Sequence, residues 1–342
     1  MGVRVLAVGA SAGGVETLER LVTDLPPDLG ACVLVTVHIS SMARSALPRI
    51  LARAGRLPAA HARDGELLQP NTIVVAPPDR HLLTLGGRVR LSAGPMVNRH
   101  RPSVDVMFTS ALRWAGAGLV AVVLSGSLDD GAVGAALVAK AGGAVVVQDP
   151  AEAAFAGMPC AALSAVPAAT VAPVAAMTGL LTSALGAAPV PVLRVASAEG
   201  GTPLPMFESS DPMYLAPEET GLTRLVCPDR GGSLAQAELP SISYYRCHVG
   251  HQWSPRTLAA AQAEEVEKKM WAAVAALDEQ AALRGHLATR HGVGDAPDED
   301  AAAEHLEAAE SAGSIATALR GKLDALPHDD RGRHAAGGGT AG

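Results

Sequence analysis

Short runs of apolar and β-branched residues alternate along the first half of the chain with segments of helical length. The runs are VRVLAVG from residue 3, ACVLVTVH from 31, TIVVAPP from 72, LVAVVLSGS from 119 and GAVVVQDP from 143. Parallel strands need long crossover connections, which such intervening helices supply. The alternation therefore predicts an α/β fold with a doubly wound, mainly parallel sheet flanked by helices, and functional groups beyond the carboxyl ends of the strands.

Composition excludes several function classes. Only 3% of the residues are aromatic, so Val, Leu and Ala must build the core, as suits a parallel sheet. The net charge of −7 argues against nucleic-acid partners and anionic membrane surfaces. Four cysteines in 342 residues are typical of reduced thiols, which predicts a cytoplasmic protein. The first apolar run is too short for a signal peptide or a membrane span, so we expect no direct membrane insertion.

The second half of the chain differs in pattern. We predict an α/β domain over 1–185, a linker rich in Pro, Gly and Ser over 186–221, and a small unit with a long helix over 222–295. Residues 296–342 are predicted to be partly helical and largely disordered, because their end carries little apolar surface. The long helix is predicted from five apolar residues at spacings of three and four: Val266, Met270, Val274, Leu277 and Ala281.

The first apolar run enters the glycine-rich turn GASAGG. A dinucleotide-binding turn needs a second glycine where Ser11 stands, and its next strand ends in an acid where this chain has His38. The Gly-x-Ser-x-Gly pattern fits better, because small neighbours let a sharp strand-to-helix turn expose the serine oxygen. A strand-to-helix turn without any chemistry gives the same pattern, so the turn alone leaves both interpretations open.

A serine nucleophile needs a base, and the base needs an acceptor that fixes its tautomer. His38 follows the second apolar run, so we expect it on the same sheet edge as Ser11. Asp129 and Asp130 follow the run that starts at 119 and are candidate acceptors, although adjacent acids also cap helices. Three further histidines compete as bases but lie less clearly at strand ends: His61, His81 and His100.

Five segments resemble, in order and spacing, the catalytic domain of the CheB-type chemotaxis protein-glutamate methylesterases. They are GASAGG, VHIS, RPSVDVMFTSAL, LSGSLDDGA and QDPAEAAFAGMPCAAL, and the resemblance covers roughly residues 3–185. It implies that Ser11 is the nucleophile and His38 the base. It also implies that Asp130, which directly precedes Gly-Ala, orients the histidine.

The resemblance implies hydrolysis of γ-glutamyl methyl esters through an acyl-serine intermediate, and deamidation of glutamines by the same chemistry. The expected partners are a methyl-accepting receptor-type protein and a receptor methyltransferase, and no cofactor is expected. The chain as given begins at the first strand, whereas chemotaxis members carry a receiver domain before it. We therefore expect a stand-alone member that is either constitutively open or controlled by a partner in trans.

Two departures from the family pattern keep alternatives open. Ala12 stands where the family has Thr, and SGSLDDG replaces a Thr-Gly-Met-Gly loop. In the family this loop supplies a backbone amide to the oxyanion hole, and the corresponding amide here is that of Ser127. Leu128 stands in place of a glycine, so it restricts the loop conformation if a positive φ is needed. A weak or inactive adaptor that binds a receptor or methyltransferase is the alternative, and a phosphate-binding regulatory domain is a minor third.

The segment NRHRPSVD has a structural interpretation and a functional one. We expect Ser103 to cap a helix and Asp105 to stabilise its first turn. Arg99 and Arg101 are expected to attract an acidic receptor helix.

The small unit resembles a zinc-ribbon-like appendage of stand-alone members, through CPDRGG and RCHVGH. Arg230 stands where the second thiolate of the first knuckle belongs, which leaves Cys227 and Cys247, with His251 as a third candidate. We therefore predict a degenerate ribbon held by packing and leave the metal open. Trp253 and Trp271 are expected to anchor this ribbon to the long helix.

Overall fold

The chain divides into two compact units, Met1–Ala259 and Ala260–Gly342. Most of the predicted linker and the final tail lie outside the described residues, so the predicted domain limits at 185 and 221 stay predictions. The ribbon that follows the linker belongs to the first compact unit. The computed structural model describes residues 3–38, 45–187, 219–239, 242–293 and 298–325.

Seven parallel strands form the central sheet of the first unit. Their order across the sheet is β3-β4-β2-β1-β7-β8-β9, and β5 pairs with β6 in a separate antiparallel hairpin. Every neighbouring pair in the large sheet is parallel, which confirms the predicted fold class. The nine strands are β1 (Arg4–Ala10), β2 (Ala31–Val37), β3 (Ala59–His61), β4 (Thr72–Val75), β5 (His81–Leu85), β6 (Arg88–Ser92), β7 (Leu119–Val123), β8 (Ala144–Gln148) and β9 (Thr170–Ala172).

Helices cover both faces of this sheet. Successive residues of a strand point to opposite faces. Accordingly Val5 and Ala7 of β1 join one core, with α3, α4 and α5, while Leu6 and Val8 join the other, with α1, α2 and α6. The six helices are α1 (Gly14–Asp24), α2 (Leu47–Ala54), α3 (Val104–Ala115), α4 (Ala132–Lys140), α5 (Gly157–Ala165) and α6 (Val174–Ala187), and a short 3-10 turn covers Gly116–Gly118.

The strand order reverses at β1. The chain moves from β1 to β2 on one side and later returns to place β7 on the other side. In a doubly wound sheet, the carboxyl ends of the strands open into a crevice at such a reversal. The residues that follow β1, β2 and β7 therefore meet at one edge.

A small antiparallel sheet follows in the same unit, in the order β10-β11-β12-β13. Its last strand contacts the loop before α3, since the N–H of Asn98 donates to Gln252 O at 2.8 Å. Val97 and Gln252 form a parallel bridge at this point. We call this sheet the ribbon; its strands are β10 (Glu219–Val226), β11 (Ser233–Leu239), β12 (Ile242–Cys247) and β13 (Gln252–Trp253).

The second unit contains α8 (Glu299–Asp324) and most of α7 (Pro255–His291). Asp278 and Arg320 form an ion pair between the two helices. The helix predicted in the 296–342 region exists and is longer than the AAAEHLEAAE segment that suggested it. None of the helices in the described part of the chain has the length and apolar character needed to cross a bilayer.

Two expectations about α7 are only partly met. Of its predicted apolar stripe, Val274 is buried whereas Val266 is 54% exposed. Of the two expected tryptophan anchors, Trp253 is buried but Trp271 is 45% exposed. Trp271 therefore does not serve as the expected anchor.

Candidate active site

Ser11 occupies the turn between β1 and α1. Its N–H donates to Ser125 O at 2.9 Å, which joins this turn to the loop after β7. Gly9 has no room for a side chain, because a Cβ there would lie 2.2 Å from Val104 Cγ1. Gly13 has φ 69°, a conformation that glycine adopts without steric cost. The glycines of the motif thus permit the close packing and the sharp turn that place Ser11 at the sheet edge.

His38 lies between Ser11 and Asp130. Its Nδ1 is 3.1 Å from Ser11 Oγ, and its Nε2 is 2.7 Å from Asp130 Oδ2. A carboxylate accepts from Nε2–H, and this leaves the Nδ1 lone pair facing the hydroxyl. The side chains of His38 and Asp130 are only 7% and 1% exposed. This arrangement can withdraw a proton from a serine hydroxyl in a site that excludes most water.

Asp130 is held by donors from the start of α3. Its Oδ1 accepts from Ser103 Oγ at 2.8 Å, and its Oδ2 accepts from the Val104 N–H at 2.7 Å. Burial by itself raises the pKa of this carboxyl, but the hydrogen bond and charge of His38, together with the Val104 N–H, lower it below its ordinary value. Asp130 is therefore ionised at neutral pH and stabilises a positive charge on His38.

The neighbouring acid has a different partner. Asp129 Oδ1 accepts from Thr257 Oγ1 at 2.6 Å, at the start of α7. Burial raises the pKa of Asp129, while hydrogen bonds from Ser254 and Thr257 oppose that effect. Strand ends alone left both acids as candidates, and Asp130, the one that the family resemblance implied, is the acid that contacts His38.

Asn98 is part of the site although sequence reasoning did not single it out. Its Nδ2 donates to Asp130 Oδ1 at 3.2 Å and to Asp105 Oδ2 at 2.9 Å. Its Oδ1 accepts from the N–H of Ser254 at 2.7 Å. Asn98 is 2% exposed and has φ 51°, a left-handed conformation that Asn tolerates better than most residues. In the NRHRPSVD segment the sequence pattern points to the Ser, Asp and Arg residues and gives no signal for Asn98.

Ser103 and Asp105 do more than begin a helix. Ser103 is the N-cap of α3, as predicted, and its hydroxyl also donates to Asp130. Asp105 Oδ1 accepts from the Gly134 N–H at 2.7 Å and so ties α3 to α4. Burial and the charge of Asp130 raise the pKa of Asp105 well above its ordinary value. We infer that Asp105 is a neutral acid beside an ionised one.

The competing histidines have other partners. His61 Nε2 contacts Ser45 O at 3.2 Å, and His81 Nε2 contacts Pro95 O at 3.0 Å. His100 does lie at the site, but its ring stacks on that of His38. Burial lowers the pKa of His81 to about 4, so it is neutral near pH 7.

Arg101 pairs with groups of its own domain. Its guanidinium contacts Asp79 Oδ1 at 2.5 Å and donates to Gly94 O at 2.8 Å, and its side chain remains 20% exposed. The expected attraction of an acidic helix by Arg99 and Arg101 stays a prediction.

Two backbone amides close to Ser11, in the motif and in the loop after β7, lack a protein acceptor among the described residues. They are the N–H groups of Ala12 and Ser127. Gly126 packs against the serine, since a Cβ on it would lie 2.9 Å from Ser11 Cβ. Leu128 has φ 61°, so the loop does need the positive φ for which glycine is better suited. These amides are candidates for stabilising a negative oxygen.

A group of side chains able to hold a metal ion lies in the ribbon. Among the described residues, one group of His, Cys, Asp and Glu side chains has the geometry to hold an ion, namely Cys227, Cys247 and His251. All three lie in the ribbon.

Comparison with known proteins identifies the family of this chain. The sequence profile described as CheB methylesterase matches residues 6–181. The protein-glutamate methylesterase/protein-glutamine glutaminase 3 of Anaeromyxobacter dehalogenans is 45% identical over 164 residues, which are 47% of this chain and 48% of that protein. The corresponding protein of Yersinia pestis bv. Antiqua (strain Antiqua) is 38% identical over 165 residues, 47% of each chain. The match thus spans about half the length of these curated relatives.

The fold also has a solved counterpart. The crystal structure of the Thermotoga maritima CheB methylesterase catalytic domain is similar with a TM-score of 0.51 and 27% identity. The match covers 54% of this chain and 99% of that one. The part that aligns is therefore a whole catalytic domain, and the remaining part of this chain lies outside that alignment.

Proposed function

Because this chain belongs to the CheB methylesterase family, we propose that it hydrolyses γ-glutamyl methyl esters of a methyl-accepting receptor-type protein, with Ser11, His38 and Asp130 as its catalytic residues. The observation that carries the proposal is the contact series from Ser11 Oγ to His38 Nδ1 at 3.1 Å and from His38 Nε2 to Asp130 Oδ2 at 2.7 Å. The names of the curated relatives support the same reaction.

In the first half of the reaction, Ser11 Oγ attacks the ester carbonyl carbon. His38 Nδ1 takes the hydroxyl proton, and the ionised Asp130 stabilises the resulting imidazolium through Nε2–H. The carbonyl oxygen becomes an oxyanion beside the free N–H groups of Ala12 and Ser127. Each such donor contributes about 3 kcal/mol in the transition state of acyl transfer. Collapse of the intermediate breaks the bond to methanol, which leaves with the proton from His38.

In the second half, water replaces methanol. His38 removes a proton from the water as it attacks the acyl-serine, and the same amides hold the second oxyanion. The bond to Ser11 then breaks, and Ser11 Oγ regains its proton from His38. The products are a free glutamate carboxylate and the unmodified enzyme.

The same steps deamidate glutamine, with ammonia in place of methanol. We include this activity in the proposal, because the acyl-serine intermediate is identical and the relatives are named for both reactions. A receptor methyltransferase as a partner and a cytoplasmic location remain part of the proposal. The four cysteines are free thiols, which supports a reducing compartment.

The test measures methanol released from membranes that contain a methyl-accepting receptor carrying labelled methyl esters. The unaltered protein is expected to release labelled methanol, and Ser11→Ala to lower kcat by several powers of ten. Ser164→Ala is the matched control, because Ser164 lies exposed on α5 and donates only to Cys160 O. The control is expected to keep full activity.

Equal release by Ser11→Ala and the unaltered protein would exclude Ser11 as the nucleophile. Receptor binding without any methanol release by the unaltered protein would favour the adaptor alternative instead.

A further inference from the structure

The ribbon brings together two thiols and an imidazole that the proposed esterase reaction does not use. Cys227 Sγ and Cys247 Sγ lie 3.6 and 3.7 Å from His251 Nδ1. The three ligand atoms lie within 4.8 Å of one another, and all three residues are buried. At these distances the two sulfur atoms and the imidazole nitrogen can coordinate the same metal ion.

Two similar turns present these side chains. In the first, the N–H of Arg230 donates to Cys227 O at 3.3 Å; in the second, the N–H of Gly250 donates to Cys247 O at 2.9 Å. Gly231 and Gly250 have positive φ values of 69° and 101°, which lets each turn close tightly. Each cysteine thus begins a four-residue turn, and His251 directly follows the second turn.

A buried tryptophan follows the cluster in β13. Trp253 is 1% exposed, and its Nε1 has no hydrogen-bond partner within the hydrogen-bond distance limit among the described residues. Trp253 lies two residues after His251, and a metal-bound thiolate accepts N–H groups of this kind.

Arg230 does not occupy the cluster. In the structure Arg230 is exposed, as is Asp229, so neither side chain is buried among the ligands. Among the described residues no fourth Cys, His, Asp or Glu side chain joins the group, so these residues supply three ligands and leave the fourth position without a protein ligand.

We infer that Cys227, Cys247 and His251 bind a thiophilic divalent cation, Zn²⁺, in a site with three protein ligands and one exchangeable ligand. Two thiolates and an imidazole select zinc over magnesium or calcium, which prefer oxygen. Because β13 follows His251 directly and contacts the Asn98 loop, the cation also stabilises the part of the ribbon that lies against the proposed active site. This inference is independent of the esterase activity.

The test uses the full chain, reduced and stripped of metal with a chelator, and then equilibrated with Zn²⁺ or Co²⁺. We expect one equivalent of Zn²⁺ to remain after desalting. We also expect Co²⁺ to give thiolate charge-transfer bands in the near ultraviolet and strong visible bands typical of four-coordination. Added imidazole should change the visible bands, because the fourth position is exchangeable. Zn²⁺ should raise Tm.

Cys227→Ser, Cys247→Ser and His251→Ala should each lose the retained equivalent, while Cys160→Ser, at an exposed cysteine on α5, should keep it. Retention of the metal by the two ribbon cysteine variants would overturn the site. Because unfolding of those variants would also release the metal, the cobalt spectrum of the unaltered protein is decisive by itself, and absence of thiolate bands would refute the proposal. An intact mass two hydrogens lower, with no metal bound, would show a disulfide instead. Visible bands that do not respond to imidazole would refute the exchangeable ligand.

Discussion

The ring of His100 lies flat on the ring of His38, with centroids 3.5 Å apart and 9° between the ring planes. Burial, and then the charge of His38, lower the pKa of His100 to about 3, so His100 is neutral over the working range of an esterase. A neutral ring in this position fixes the orientation of His38 without adding a second charge. It also offers a π face to the imidazolium that the proposed reaction forms.

This stacking predicts a pH dependence of stability. An unfolded histidine titrates near pH 6.5, whereas folded His100 and His81 titrate near 3 and 4. Between these values the unfolded chain binds protons that the folded chain does not, so the free energy of unfolding falls as pH falls. We expect each of these two histidines to contribute a loss of about 2 kcal/mol from pH 6.5 to 4.5, and the total loss to be smaller in His100→Phe. Denaturant unfolding at several pH values measures this, and identical pH dependence in both proteins would contradict it.

Asp130→Asn should abolish most of the activity. The amide cannot stabilise the imidazolium and favours the wrong tautomer of His38, so kcat should fall on the order of 10³–10⁴-fold, as in other serine hydrolases. Asp129→Asn is the matched control, because this neighbouring acid contacts Thr257 rather than His38. The rates of methanol release by the two variants show which acid acts with His38. A lower kcat in Asp129→Asn than in Asp130→Asn would assign that role to Asp129 instead.

Asn98→Ala should lower kcat about tenfold with little change in KM, a loss equivalent to about 1.4 kcal/mol. The variant removes a donor from Asp130, and Asn98→Asp should be worse because it adds a charge beside two carboxyl groups. Thr257→Val is the comparison variant. It removes only the hydrogen bond from Thr257 to Asp129 and leaves the donors of Asp130 in place. An equal loss of kcat in Thr257→Val would show that the hydrogen bond from Asn98 to Asp130 is not the cause of the loss in Asn98→Ala.

Gly126→Ala should reduce activity strongly. Its Cβ would lie 2.1 Å from Met158 Sδ and 2.9 Å from Ser11 Cβ, and although the methionine can move, the serine cannot do so without leaving His38. Gly179→Ala is the control, because a Cβ there meets nothing within 4 Å on α6. Single-turnover acylation of both variants measures the effect. Normal acylation by Gly126→Ala would mean that the loop is free to move.

Leu128→Gly should increase the free energy of unfolding by about 1 kcal/mol, because leucine at φ 61° carries the steric cost of the left-handed conformation. The same change should leave the Ser127 amide in place and so preserve methanol release. The Tm of the variant provides the measurement. A lower Tm would mean that the contacts of the half-buried leucine side chain exceed the relief of backbone strain.

Parts of the fold were predictable because backbone periodicity is local. The runs that became β1, β2, β4, β7 and β8 are long and β-branched, whereas β3 and β9 are three-residue edge strands without such a pattern. The hairpin of β5 and β6 was not predicted. The placement of Ser11 and His38 on one edge followed directly, since parallel strands end at the same side of the sheet.

The residues by themselves determined which side chains follow the strands, because strand and turn propensities depend on near neighbours. The strand pattern could not choose between the two adjacent acids. The family resemblance implied Asp130, and the tertiary structure shows its contact with His38 and its donors from α3. The tertiary structure alone brought Asn98 and His100 to the site and paired Arg101 with Asp79. It also gathered Cys227, Cys247 and His251 despite Arg230. These are contacts between residues far apart in sequence, and their geometry is set by packing rather than by any local pattern.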